Sequence, residues 1–325
     1  MNKILVTGGA GYIGSNTVNL LIENSKNNEV FIIDNLSTGN KNLINPKAKF
    51  FNVDLCDFNS VQKVFKNILP DIIFHFAGLS QVSESNIFPD KYIKNNIDGG
   101  LNLLKSMVDS GCKKIIFSSS AAVYGKANKI PITENHELNP ISIYGTTKKI
   151  FEEFLKLYDQ SFGIKHLSLR YFNAGGASQN NLYGEMHDPE THLIPNVLKA
   201  AKENTIFNIY GDDYKTEDGT CIRDYIHVID IANAHILGMK YLSNSNSKSQ
   251  TINLGTNKGA SIKNIISICE KVTNKNLNLN ISNRRIGDPA ILIASNSQAK
   301  EILNWEPKYE IKDIIESAWM FENSN

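Results

Sequence analysis

Two short stretches carry side chains that could do chemistry together. Tyr144 and Lys148 stand four residues apart in PISIYGTTKKIFEEFLKLY, so on a helix they share one face. A free tyrosine loses its proton near pH ~10, too high for a base at neutral pH. A neighbouring ammonium favours the phenolate and brings that value down, which makes a base plausible. Ser118-Ser119-Ser120 directly follows the strand-like run Ile115–Phe117. Ser120, at the carboxyl end of such a strand, could bond the hydroxyl being deprotonated. Strand-end serine, helical tyrosine and lysine suit removal of a hydride from a secondary alcohol, provided a nicotinamide is bound.

The sequence offers a place for one. Gly8-Gly9-Ala10-Gly11-Tyr12-Ile13-Gly14 follows the apolar run Ile4–Val6 and opens a helical pattern. Gly8, Gly11 and Gly14 let the chain turn sharply and approach a pyrophosphate, and the helix start offers free N–H groups to the anion. Asp34 closes the second apolar run. Its carboxylate can accept from a ribose 2′-hydroxyl and would repel a 2′-phosphate, so NAD is expected rather than NADP. Asp54, after the third run, could bond the adenine, although a turn role is as common. Phe76-Ala77-Gly78 supplies small residues where a cofactor would lie.

These residues need a sheet to place them. Short apolar runs at Ile4–Val6, Val30–Ile33, Phe50–Val53, Ile72–Phe76, Ile115–Phe117 and Ile164–Leu169 alternate with helical stretches. That rhythm predicts an α/β fold: a doubly wound parallel (Rossmann) sheet, with a second, smaller α/β substrate lobe. At 325 residues two domains are expected: 1–173 binding NAD, with 224–255 returning to it, and 174–325 forming the lobe. The stretches 174–190 and 211–223 read as loops, and the tail after Phe321 as frayed. Trp305 and Trp319 are expected to pack the lobe.

Composition excludes other classes. Lys and Arg number 34 against 33 Asp and Glu, a net charge of +1, which gives no basic field for nucleic acid or an acidic membrane. The four cysteines are scattered, so neither zinc nor a disulfide framework is expected, and free thiols fit a cytoplasmic location. The opening MNKILVTGGAGYIG has too short an apolar run for a leader, and no membrane span is expected.

The chain resembles the extended short-chain dehydrogenase/reductase family, and within it the UDP-hexose 4-epimerases. The resemblance covers nearly the whole length and rests on VTGGAGYIGS, IIDNLSTG, HFAGL, FSSSAAVYG, YGTTKK, LRYFNAGGA, THLIPNVL, IYGDDYKTEDGTCIRDYIHV, NLGT, RRIGDPAILIAS and NWEPKY. It implies that Tyr144 is the base and acid, that Lys148 is its partner and binds the nicotinamide ribose, and that Ser120 assists at the sugar. Tyr12, Ile13, Asp34, Asn35, Asp54, Leu55, Phe76, Ala77, Gly78, Asn95 and Phe172 would line the NAD. Asn173, Leu193, Tyr210, Arg223 and Arg285 would hold the UDP part, the arginines suiting a diphosphate. The implied reaction interconverts UDP-glucose and UDP-galactose through a transient 4-keto sugar.

Departures sharpen this reading. Dehydratases of the family carry an Asp-Glu pair after the serines, where Ala121 and Ala122 stand here and can transfer no proton. Ser80 replaces a lysine common after the AGL stretch. Leu292 falls where some members have a tyrosine and others a small residue, so UDP-N-acetylhexosamines are expected to be at least partly accepted. His75 reads as packed, and His192 as a substrate-loop or structural residue. A homodimer through helices near 95–110 and 144–158 is implied. The alternatives are an epimerase or oxidoreductase for pentose or uronate sugars, and a non-catalytic NAD-binding module; a module would be expected to lose the tyrosine, lysine or serine.

Overall fold

The computed structural model describes residues 2–25, 27–285 and 288–324. The first half runs β1 (Asn2–Thr7), α1 (Tyr12–Glu23), β2 (Asn28–Asp34), β3 (Lys49–Asn52), α2 (Phe58–Ile68), β4 (Ile72–His75), α3 (Val82–Ile87), α4 (Pro89–Ile93), α5 (Gly99–Ser110), β5 (Lys114–Ser120), α6 (Ile143–Phe162) and β6 (Lys165–Tyr171). There follow β7 (Asn173–Gly175), α7 (Leu193–Glu203), β8 (Ile206–Tyr210), β9 (Ile222–Arg223), β10 (Tyr225–His227), α8 (Val228–Ser243) and β11 (Gln250–Leu254). The chain ends with β12 (Ala260–Ser261), α9 (Ile262–Thr273), β13 (Asn278–Ser282), β14 (Ile291–Leu292), α10 (Ser297–Leu303) and α11 (Ile311–Ser324).

Among the described residues, seven parallel strands form the main sheet in the order β11-β6-β5-β4-β1-β2-β3. Side chains alternate across it, as strand geometry demands. Ile4 and Val6 pack with Ile32, Phe74 and Leu167 under α1 and α8, through Val18, Leu21, Ile231 and Ala234. Leu5 faces the other way, with Phe31, Ile33, Ile73 and Phe117, under α2, α5 and α6. Both faces are covered, so the strands read as continuous apolar runs rather than alternating ones. Helix ends follow local chemistry. Ser142 caps α6 by accepting from Gly145 N at 3.1 Å, and Gly163, at φ 66°, ends it.

The second half builds a separate core around α7, α9 and α11, through Ile194, Val197, Ile265 and Ile314. Its strands are short: β7 pairs β10, β8 pairs β13, and β9 lies between β12 and β14. Between them the chain revisits the main sheet, where β11 pairs β6 and α8 packs on α1. Four sequence expectations change. The stretch 211–223 is not all loop, because it ends in β9, which pairs with β12 and β14. The stretch 174–190 is not all loop, because β7 runs to Gly175 and pairs through Tyr225 and Asn173. The tail is helical through Ser324, since Phe321 is buried at 5% exposure and anchors its last turn. Trp305 packs the main-sheet core and not the lobe, its indole N–H donating to Asp230 O at 2.9 Å; only Trp319 lies against the lobe core.

One ionic group is sealed inside. Glu152 on α6 meets Arg170 on β6 through two bonds, Nε to Oε1 at 2.9 Å and Nη2 to Oε2 at 2.6 Å. Ser119 Oγ donates to Glu152 Oε1 at 2.5 Å. Arg170 Nη1 donates to the Tyr124 hydroxyl at 2.9 Å, which donates to Asn253 Oδ1 at 2.7 Å. The pair's side chains are 0% and 4% exposed. Removing one member strands the other charge in the core, so Glu152→Ala is expected to lower the unfolding free energy by about 3–5 kcal/mol. Urea titration checks this; a loss under about 1 kcal/mol, the size of an exposed pair, would refute it.

Candidate active site

The glycine turn connects β1 to α1 and is held by contact, not by choice of conformation alone. Gly8 has φ +74°, and a Cβ there would lie 2.5 Å from Ala77 N. A Cβ on Gly14 would lie 2.1 Å from the Gly8 carbonyl oxygen. The backbone itself therefore fills the space a side chain would need, so the turn at the carboxyl edge of the sheet presents main chain and no side chain at Gly8 and Gly14, a glycine cradle. No side chain caps α1 and no acidic residue occupies its first turn, so its leading N–H groups are free for an anion. Tyr12 is buried and donates from its hydroxyl to Gly176 O at 2.5 Å, tying this turn to the loop after β7.

Asp34 lies beside the cradle, nine-tenths buried. It accepts from Ala10 N at 3.0 Å and Leu36 N at 2.9 Å. Burial pushes its carboxyl up, and the two backbone donors partly oppose this. Asn35 donates to Asp54 Oδ2 at 3.0 Å, and Asp54 also takes Cys56 N at 2.8 Å. Partial burial works to raise Asp54, but those donors outweigh it and hold the carboxyl below its usual range. Leu55 is buried next to it. Phe76 and Ala77 bond back to Thr7 O at 2.9 and 3.0 Å, which brings the end of β4 against the glycines. The cradle, the uncapped helix start and the acidic strand end together fit an NAD-type dinucleotide.

Ser120 ends β5, and Tyr144 stands in the first turn of α6. The Tyr144 backbone N–H bonds Ser85 Oγ at 3.1 Å, while Ser120 Oγ accepts from Ala122 N at 3.1 Å. Lys148, one turn along, is buried and donates to Ser118 O at 2.7 Å. Its ammonium lies 5.8 Å from the Tyr144 ring centroid and 4.9 Å from that of Phe117. The expected electrostatics differ here. Burial raises the Tyr144 phenol above its ordinary value, and it is a hydrogen bond from Ser120, not the lysine, that pulls it back. Burial also brings Lys148 down to about 8, against the opposing charge of Glu152. The lysine spends its hydrogen bond on the strand carbonyl and stands 5.8 Å from the phenol ring centre, without direct contact to the hydroxyl. His75 is packed, as expected: it bonds Thr7 Oγ1 at 2.7 Å, and burial lowers its imidazole to about 3.

Asn95 donates to Asn96 Oδ1 at 2.9 Å within a π-helical turn, Lys94–Asp98, between α4 and α5. Asn96 is a residue the sequence reading missed. It accepts from Leu79 N at 2.8 Å and donates to Leu79 O and Thr147 Oγ1. It thereby ties the Gly78 loop to α6; a Cβ on Gly78 would sit 3.5 Å from Lys148 Nζ. Glu152, Arg170, Tyr124 and Asn253 were missed too. Only the spacing Tyr144, Lys148, Glu152, one residue per turn on one helix face, could have signalled any of them.

The remaining predicted residues gather on the lobe side. Phe172 is buried after β6, bonded to Leu254 O. Asn173 bonds Asp224 O through both N–H and Nδ2, each at 3.0 Å. Leu193 opens α7. Arg223 on β9 is in register with Leu292 on β14. Its guanidinium is committed to Asp288, to Pro289 O at 2.7 Å and to Ile222 O at 2.7 Å. Arg285 lies 4.3 Å over the Tyr210 ring; both are exposed. Ser80 is exposed as well. Within the RRIGDPAILIAS stretch, Ile286 and Gly287 lie outside the described residues.

A doubly wound sheet with a glycine turn beside a half-buried tyrosine and serine and a buried lysine defines a nucleotide-dependent α/β enzyme of the short-chain dehydrogenase class. Comparison with known proteins narrows the class. The family model described as GDP-mannose 4,6 dehydratase matches residues 5–318. The UDP-glucose 4-epimerase of Lactobacillus helveticus is 45% identical over 325 residues, covering 99% of this chain and 98% of that protein. The crystal structure of the Brucella ovis UDP-glucose 4-epimerase in complex with NAD is 39% identical, with a TM-score of 0.95 over 98% of each chain. That of the Bifidobacterium longum enzyme in complex with NAD+ and UDP is 35% identical, with a TM-score of 0.92 over 99% of this chain and 98% of that one. The chain belongs to the extended short-chain dehydrogenase/reductase family, in its UDP-glucose 4-epimerase branch.

Proposed function

We propose that the chain interconverts UDP-glucose and UDP-galactose by inverting the sugar at C4, with NAD as resident cofactor. The carrying observation is the convergence of Ser120, Tyr144 and Lys148 at the sheet edge beside the glycine cradle. NAD bound there supplies reversible hydride acceptance at C4. Tyr144 takes the proton of the 4-hydroxyl as the 4-keto sugar forms and returns it to the C4 oxygen after the keto ring has turned, when the hydride re-enters at the opposite face of C4. Ser120, whose hydroxyl works to lower the Tyr144 phenol, orients the sugar oxygen. Lys148 holds positive charge against the phenolate and is placed for the nicotinamide ribose. Asp34 takes the adenosine ribose, with Asn35, Asp54 and Leu55 nearby. Arg223 and Arg285 hold the diphosphate, which competes with Asp288 for Arg223, while Asn173, Leu193 and Tyr210 flank the nucleotide. Residues 1–173 and 224–255 then serve the cofactor, and the rest serves the UDP-sugar. Loss of the general base costs ~10²–10⁴-fold, so Tyr144→Phe is expected to lose that much UDP-galactose turnover while keeping its NAD; full activity in the variant would reject the base.

Leu292 sets how much room the sugar has. Its side chain is intermediate between the tyrosine and the small residues found at this place in the family, and it is half-buried on a two-residue strand. UDP-N-acetylgalactosamine is therefore a weaker second substrate. Leu292→Tyr should lose that activity and retain UDP-galactose turnover; equal turnover of the acetamido sugar by both proteins would sink the assignment.

A homodimer completes the reading. Ile87, Phe88 and Ile93 are 68%, 54% and 45% exposed, and Ile150 and Leu157 on α6 are 37% and 54% exposed. Such an apolar face favours a partner helix pair, and a second copy of the chain supplies one. Sedimentation velocity at micromolar concentration should give twice the chain mass, and a single-chain mass would remove this part. Among the described residues no helix is long and apolar enough to cross a membrane; together with the scattered free cysteines this supports a cytoplasmic enzyme.

A further inference from the structure

The segment between β7 and α7 carries Glu185-Met186-His187-Asp188-Pro189-Glu190-Thr191-His192, which the catalytic reading does not use. Glu185, His187, Glu190 and His192 each offer one donor atom, and all four atoms lie within 4.8 Å of one another. His187 Nδ1 is 3.0 Å from Glu185 Oε1 and 3.7 Å from Glu190 Oε2. His192 Nδ1 contacts the same Glu185 oxygen and lies 3.9 Å from Glu190 Oε1. The two imidazoles stand at 81° with centroids 5.3 Å apart, so they reach one carboxylate from different directions instead of stacking. The Glu185 side chain is 6% exposed and that of Glu190 14%. Among the described residues no lysine or arginine pairs with either carboxylate.

We propose that this E-x-H-x2-E-x-H stretch binds a divalent metal, and that zinc is the ion its donors suit. Tetrahedral zinc with N and O bonds of about 2.0–2.2 Å sets its ligand atoms roughly 3.3–3.6 Å apart. The separations of 3.0, 3.7 and 3.9 Å lie close to that range, the last two through different oxygens of Glu190, while His192 Nδ1 is closer still to Glu185; side-chain rotation that opens this contact and turns one Glu190 oxygen inward completes the cage. Two carboxylates balance the charge of a divalent ion. Two imidazoles disfavour calcium and magnesium, which prefer oxygen alone. All four ligands come from the protein, which marks a structural site rather than a catalytic one with an open position.

The position says what the ion would hold. The His187 ring stands edge-on to Tyr12 with centroids 6.5 Å apart. Tyr12 opens α1 and bonds Gly176 O, and His192 directly precedes α7. Zinc here fastens the 185–192 segment against the glycine turn on one side and the start of the lobe on the other.

The full-length chain, purified without a histidine tag and stripped by a chelator, is titrated with Zn²⁺ against a chromophoric competitor, and native mass spectrometry counts the ions. One zinc per chain is expected, with a dissociation constant of about 1 μM or tighter and a raised melting temperature. His187→Ala and Glu190→Gln should each weaken binding by at least about tenfold, as loss of a ligand requires. The proposal fails if the wild-type chain takes up no zinc at micromolar free metal, which leaves an ion-paired clamp only. It fails equally if the folded variants bind zinc as tightly as the wild type. Circular dichroism verifies folding, and if His187→Ala does not fold, Glu190→Gln alone decides. The readout is metal content, so the result stands apart from whether the chain is an epimerase.

Discussion

The buried pair of Glu152 and Arg170 is the contact on which the catalytic face depends. Sealing two charges away from water is costly, and their attraction offsets the cost only when geometry and hydrogen bonding are nearly complete. Here they are: both carboxylate oxygens, Nε, Nη1 and Nη2 are all engaged. The pair joins α6 to β6, reaches β5 through Ser119, and reaches β11 through Tyr124 and Asn253. A one-residue slip of the helix would break all three bonds that Glu152 makes. The rotational setting of α6, and with it the position of Tyr144 and Lys148 against Ser120, is locked from beneath. The same carboxylate raises the Lys148 proton affinity that burial lowers, so one group both places the helix and helps keep the ammonium charged.

A second constraint acts near the middle of the sheet, where β1 lies beside β4. Gly8, Gly14 and the Phe76–Ala77 backbone approach so closely that the turn has no room for a side chain. The close packing puts the uncapped start of α1 beside β4 and directs its free N–H groups at the sheet edge. An anion can be met there by backbone alone. In the function proposed, Arg223 and Arg285 on the lobe meet a second anion. Both are local devices, which is why a chain of net charge +1 can accommodate two diphosphates without a basic surface.

What could be read from the sequence follows from how local its causes are. The main-sheet strands were legible because both faces are buried and the apolar runs are continuous, and the glycine turn because its motif, strand and helix are contiguous. Asn96 and the Arg170 network were not, because their partners lie 17 to 129 residues away and a buried arginine looks like an exposed one in sequence. The lobe's two- and three-residue strands lacked the length for a period. Trp305 was misassigned for a related reason: its position late in the chain says nothing of the return path that brings it to Asp230. The phenol's electrostatics failed on a subtler point, since spacing places Lys148 on the right face but does not reveal that Ser118 O takes its hydrogen bond.

The unequal construction of the two halves suits the chemistry proposed. Proton and hydride must leave and return at fixed points, so the tyrosine, serine and cofactor cradle belong on a seven-stranded sheet cross-braced by a sealed ion pair. The sugar must expose first one face and then the other, so its surroundings cannot grip it equally tightly. Strands of two residues, with Leu292 and Arg223 facing each other in register, give few backbone bonds on that side, and local opening is cheapest where such bonds are few. The anchor then has to be the nucleotide and not the hexose. Binding energy gathered on a distant UDP group holds the keto sugar without fixing its face, which is the condition an inversion at C4 requires.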